Sequence, residues 1–190
     1  MNALDAISMQ EKVDVQHSRA SQVKDASGIA GQYHAQCFDA QGNLKWEETF
    51  DNTVTMIGKK YLLDRLDTSY TAVAPIMGLL TGAPSTADTA TMSTVTAAEP
   101  AAGTFSAFRV APTPSVAAGA TGTCTKSFAA ASFTAAGAGA TITGCFLIMG
   151  TGAVVTRADA NGVLYSLGTF TGKTLAATDV LQITYSTTLA

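Results

Sequence analysis

The chain has 190 residues with 11 basic and 14 acidic side chains, a net charge of −3. That excludes a general nucleic-acid binder, which needs a basic surface to displace counterions. Apolar residues make up 47% but aromatics only 7%, and alanine dominates the apolar sum, so a thin core that leans on neighbours is expected.

Residues 1–30 read as an arm. Leu4 and Ile7 could share a short helix and Val13 and Val15 alternate like a strand, but neither pattern lasts. The Ser/Gln-rich remainder is the composition of a segment that cannot fold alone. Two readings compete, a disordered tail, the usual fate of a terminus, and an arm ordered against a partner; the second is favoured, with Leu4, Ile7, Val13, Val15 and Ile29 as its candidate docking residues. Strand addition to a sheet edge around Val13 and Val15 is the expected geometry. The remaining residues, 31–190, form the domain.

Residues 32–39 alternate, with Tyr33, Ala35 and Cys37 on one face and His34 and Gln36 on the other. After the turn residues of 39–43, Leu44, Trp46 and Glu48 alternate against Lys45, Glu47 and Thr49, which completes a β-hairpin. A helix is expected near 52–66, capped by Asp51, Asn52 or Thr53. Its apolar stripe would be Val54, Ile57, Tyr61, Leu62 and Leu66, opposite Lys59, Lys60 and Asp64. Gly58 inside it costs helix stability and points to a close neighbour.

Residues 74–80 form a short apolar run that reads as a buried strand. Residues 85–102 read as a Thr/Ala loop without periodicity, long enough to be functional or mobile. Further strands are expected at 103–110, 122–130, 132–135, 140–149, 163–170 and 180–186, with turns at 136–139, 159–162 and 172–173. About eight short strands with glycine-rich turns and no intervening helices mean a mainly β chain. The expected fold is an antiparallel β-sandwich, jelly-roll-like, with one helix near 52–66 and an extended N-terminal arm.

Charge is unevenly spread. Residues 1–67 carry 7 basic and 10 acidic side chains, while residues 68–190 carry 4 and 4. A surface so poor in charge tends to associate. The expectation is therefore a homo-oligomer or a subunit covered by others.

Catalytic chemistry is hard to build from these residues. The three cysteines, Cys37, Cys124 and Cys145, are widely spaced and match neither a metal motif nor a disulfide framework. Free, mostly buried thiols are expected from a chain folded in a reducing cytoplasm. His34 and Cys37, three residues apart on a strand, face opposite ways and cannot form a dyad. Glu47 and Glu48 are adjacent and diverge likewise. Asp88, Glu99, Asp159 and Asp179 are isolated, with loop or turn roles. Gly150-Thr151-Gly152 lacks the lysine and helix of a phosphate loop. No catalytic, cofactor or metal residues are assigned and no enzyme activity is expected. The start of the chain shows no signal-peptide pattern, and the apolar stretch 144–155 is too short and glycine-broken to span a membrane.

The motif order resembles a family of small bacteriophage virion proteins described as head-decoration or tail-associated. The matching pieces are Asn52-Thr53-Val54-Thr55-Met56-Ile57-Gly58-Lys59-Lys60-Tyr61-Leu62-Leu63-Asp64, Ile76-Met77-Gly78-Leu79 and Asp88-Thr89. Further on come Ile142-Thr143-Gly144-Cys145-Phe146-Leu147, Gly162-Val163-Leu164-Tyr165, and Asp179-Val180-Leu181-Gln182-Ile183-Thr184-Tyr185. The chain departs from that pattern in its arm and in the segment around Asp88, where an aromatic is usual. The resemblance implies a non-enzymatic structural protein of a phage particle, made in the host cytoplasm and located in the virion. The role expected first is a capsid decoration or cement protein docking through the arm and charge-poor β faces. Partners would be the major capsid protein, or tail- or portal-associated proteins, with no nucleic acid or membrane. A tail or collar protein is the alternative. A carbohydrate-binding adhesion module ranks third, because a sugar site wants exposed aromatics and Trp46 sits in a hairpin.

Overall fold

A computed structural model describes residues 28–66, 73–120, 122–137 and 139–190. Among these residues, ten strands form two antiparallel five-stranded sheets packed as a β-sandwich. The first has the order β2(Leu44–Asp51), β1(Ile29–Phe38), β10(Val180–Leu189), β7(Thr123–Thr134), β6(Ala118–Ala120). The second has the order β3(Thr53–Val54), β9(Val163–Leu175), β8(Ala140–Met149), β4(Ile76–Leu80), β5(Arg109–Val110). Two helices are present among the described residues, α1(Met56–Asp64) and the single-turn α2(Met92–Thr96).

Alternation sets which side chains meet between the sheets. Tyr33, Ala35 and Cys37 on β1 face inward beside Leu181, Ile183 and Tyr185 on β10. Phe128, Ala131 and Phe133 on β7 continue that layer. Met77, Leu79, Cys145, Leu147 and Tyr165 oppose it from the second sheet. The largest fully buried side chains are aromatic, led by Tyr33, Tyr165, Tyr185 and Phe133. The Tyr33 ring lies 4.5 Å from Tyr185 and 5.5 Å from Phe50, and Phe128 lies 5.6 Å from Tyr185. Buried tyrosine hydroxyls need partners, and here the partners cross between sheets. Tyr33 Oη meets Ser166 Oγ at 2.7 Å, and Tyr165 Oη meets Thr187 Oγ1 at 3.0 Å.

Ile29 and Ala30 belong to β1, where they pair with Leu189 and Thr188. The hairpin of β1 and β2 forms as its alternation requires. The two runs expected at 122–130 and 132–135 are one continuous β7, and β9 runs on past Phe170 to Leu175.

The helix differs from the expected 52–66. Thr53 and Val54 are a short strand paired with Leu167 and Ser166. The cap is Thr55, whose Oγ1 accepts from the Gly58 N–H at 3.0 Å. Thr55 also donates through Oγ1 to the Leu164 carbonyl, and its N–H bonds the Tyr165 carbonyl at 3.0 Å. The helix therefore begins pressed onto β9. Its buried residues are Gly58 and Tyr61, while Leu62 is half-buried, Ile57 lies at the margin and Leu66 is 85% exposed. Of the expected stripe, Val54 and Tyr61 are buried and Leu62 packs against the core, while Ile57 and Leu66 face outward because a helix lying flat on a strand buries a narrow face.

Residues 85–102 are not an unpacked loop. Ala90, Met92 and Val95 are buried against Ile76, Leu80, Phe146, Ile148 and Leu164. This segment sheathes the outer face of the second sheet, which is why every residue of β4 is buried. The first sheet has no such cover among the described residues.

Candidate functional site

Glu99, expected in a loop role, lies within the sheath. Its carboxylate meets the Arg109 guanidinium at 2.5 and 3.2 Å, with both side chains fully buried. Arg109 also donates to the carbonyls of Val154 and Asp159, at 3.2 and 2.8 Å. The Ala158 N–H reaches Glu99 Oε2, and Arg157 donates to the Pro100 carbonyl. Every charged atom here is matched, and both partners are shielded from water. The cluster is a structural stitch between sheath, β5 and the 150–161 loop.

Asp179 is likewise buried and takes a 2.5 Å bond from Lys45 Nζ and a 2.7 Å bond from the Ala176 N–H. The side-chain bond to Asp179 raises the Lys45 pKa. Beside it, burial pushes the Cys37 thiol from 9.0 up to about 11, with Asp179 adding to the shift. A thiol so poorly ionised is no nucleophile at neutral pH. His34 points to the other face and lies 3.5 Å from Glu47. Asp159 caps its own turn through the Asn161 N–H. Among the described residues, no three of His, Cys, Asp or Glu gather as metal ligands, and no helix is long and apolar enough to cross a membrane. Cys37 and Cys145 are buried free thiols, whereas Cys124 is free but exposed, because β7 reaches the end of the sandwich there.

Among the described residues, a sheet face and two end cavities could receive something. One is the outer face of the first sheet. Gln32, His34 and Gln36 of β1 share that face with Gln182, Thr184 and Ser186 of β10 and with Ser127 and Ser132 of β7. Glu47 and Asp51 of β2 are its main charges, and each accepts from a neighbouring glutamine. The face is polar, nearly uncharged and uncovered among the described residues.

The second is a cavity of about 350 Å³ at the end of the sandwich where β1 begins. Phe128, Met149 and Tyr165 form its floor, and Leu62 and Arg65 bring α1 to one side. Pro75, Pro114, Lys126 and Thr187 complete the wall. Lys126 Nζ donates to the Ser115 carbonyl at 2.8 Å, and the Arg65 guanidinium stands 5.1 Å from the Tyr61 ring centre. Two cations and no carboxylate stand among the described lining residues. A cavity of about 470 Å³ lies at the opposite end, beside Asp39, Thr178 and Gln182. There Asp39 is held by its own turn, since Asn43 donates to it from both side chain and backbone and lowers its pKa.

Of the expected docking residues, Leu4, Ile7, Val13 and Val15 lie outside the described residues, and Ile29 packs against the core at the start of β1. The cavity was not foreseen from the sequence. Its wall comes from α1, four strands and two loops, and no local pattern links them. Compared with protein-family models, with curated proteins and with solved structures, the chain matches none.

Proposed function

We propose that this chain is a non-enzymatic structural protein of a bacteriophage particle. In this reading it is a capsid decoration protein that docks through its N-terminal arm and its charge-poor sheet face. The observation that carries the reading is the asymmetry of the sandwich. One sheet is covered on both sides, while the other leaves a broad, nearly uncharged Gln/Thr/Ser face bare among the described residues. An isolated domain ordinarily keeps such a face soluble with charge, and a subunit of an assembly has no need to. The matched buried charges and the neutral buried thiol fit a scaffold rather than a catalyst. No described aromatic residue is exposed, which leaves a sugar-binding reading without a stacking platform.

The test is the stoichiometry of the chain in purified particles. A copy number that follows the capsid lattice is expected. A handful of copies per particle would favour a tail or collar position, and failure to co-purify would overturn the particle reading.

A further inference from the structure

The loop between β8 and β9 leaves one chemically labile step open. Asparagine occurs at positions 2, 43, 52 and 161 of the chain. Two of those described are engaged: Asn43 donates to Asp39 Oδ2 at 3.0 Å and Asn52 to Tyr185 Oη at 2.9 Å. Asn161 is exposed, and its side-chain amide makes no hydrogen bond among the described residues. It is also the one asparagine followed by glycine.

An asparagine amide is open to attack by the backbone nitrogen of the next residue, and a side chain on that residue is the usual obstacle. Glycine presents none. At 162 the fold also requires glycine: φ is +85°, and a Cβ there would stand 3.0 Å from Ala153 Cα. Gly152 keeps the step clear as well, since a Cβ at 152 would stand 3.3 Å from the Gly162 nitrogen. Gly162 precedes the β9 ladder, and its N–H engages none of the turn and loop bonds of the described residues. The Asp159 carboxylate accepts from the Asn161 N–H at 2.8 Å, which pins the backbone and leaves the side chain free.

We propose that Asn161 is a site of spontaneous self-modification that loosens this loop. The Gly162 nitrogen loses its proton and bonds to Asn161 Cγ, the Cγ–Nδ2 bond breaks, and ammonia leaves with that proton. Water then opens the cyclic imide at either carbonyl. One opening gives aspartate with the main chain restored. The other gives isoaspartate, whose main chain runs through the former side chain and is one carbon longer. Water is the only co-reactant. The loop is clamped just before this step. Arg109 holds the Val154 and Asp159 carbonyls, the Ala158 N–H reaches Glu99, and Arg157 donates to the Pro100 carbonyl. Just after it, Val163 opens β9 and pairs with Met149. An extra carbon between clamp and strand puts slack into a loop that the buried ion pair otherwise keeps taut. The proposal goes beyond the particle reading and stands without it.

The test incubates the full chain warm at neutral pH beside a synthetic peptide of residues 157–166, the unfolded reference. Ion exchange separates the more acidic product, and peptide mapping locates it. Conversion at Asn161 is expected within about tenfold of the peptide's rate, because exposed loops open at little cost, while Asn43 and Asn52 stay intact. Asn161→Gln should show no conversion at that position. An Asn161 that stays intact in the protein while the peptide converts would overturn the site. Trypsin cleavage after Arg157 then reads the slack. The isoaspartyl form is expected to be cut about fivefold faster or more than the unmodified chain and than Asn161→Asp, which adds the charge without the carbon, since a loosened clamp opens more often. Equal cleavage of the isoaspartyl form and Asn161→Asp would overturn the loosening. Neither result bears on whether the chain co-purifies with particles.

Discussion

Gly58 shows how one position can reverse a general rule. Replacing a helix-interior glycine with alanine ordinarily stabilises by about 1 kcal/mol. Here a Cβ would stand 2.5 Å from the Tyr165 carbonyl oxygen and 2.9 Å from its Cα. Backbone cannot move aside cheaply, so Gly58→Ala is expected to destabilise by about 1–3 kcal/mol, the range for overpacking. Urea denaturation measures it, and a gain in stability would mean the helix does not rest on β9. A second residue-scale prediction concerns pH. The folded state keeps the Cys37 thiol protonated up to about 11, against an ordinary 9.0. Above about 9 the unfolded chain releases this proton and the folded chain retains it. Stability therefore falls as pH rises through that window. Cys37→Ala is expected to flatten the alkaline slope of stability against pH, whatever it does to stability at neutral pH. The inward position of Cys37 was legible from the alternation of β1. The cap of α1 was not, because Asp51, Asn52, Thr53 and Thr55 are all good caps and only the pairing of Thr53 and Val54 with β9 decides among them.

Among the elements, the sheath over the second sheet is the largest departure from what the residues suggested. Its Thr/Ala composition carries no period because α2 is a single turn and the remaining contacts come from irregular backbone. Strand β4 was legible as buried, since a continuous apolar run needs cover on both faces. What supplied the cover was not, because that depends on contacts far apart in sequence. The Glu99–Arg109 pair fixes this cover. Arg109→Met leaves a buried carboxylate without its guanidinium and is expected to cost about 3–5 kcal/mol. Glu99→Leu with Arg109→Met together should cost clearly less than the two single changes added. A double-mutant cycle by chemical denaturation checks this, and strict additivity would show that the two charges do not support each other.

Across the whole molecule, the sandwich class followed from strand spacing and turn residues, whereas the sheet order and the end cavity did not. The cavity forms where α1 and the two sheets diverge, a matter of assembly rather than of any one segment. The unequal cover of the two sheets also sets an order of events. The second sheet, buried on both faces, has more to lose by opening than the first. Each sheet holds one buried thiol, Cys37 in the first and Cys145 in the second, while Cys124 stands exposed. The chain thus carries its own stopwatch. With a thiol reagent under native conditions, Cys124 should react at once, Cys37 later and Cys145 last, and peptide mapping of the label against time reads the sequence. If Cys37 and Cys145 react together, the sandwich breaks as one unit and the sheath confers no seniority on the sheet beneath it.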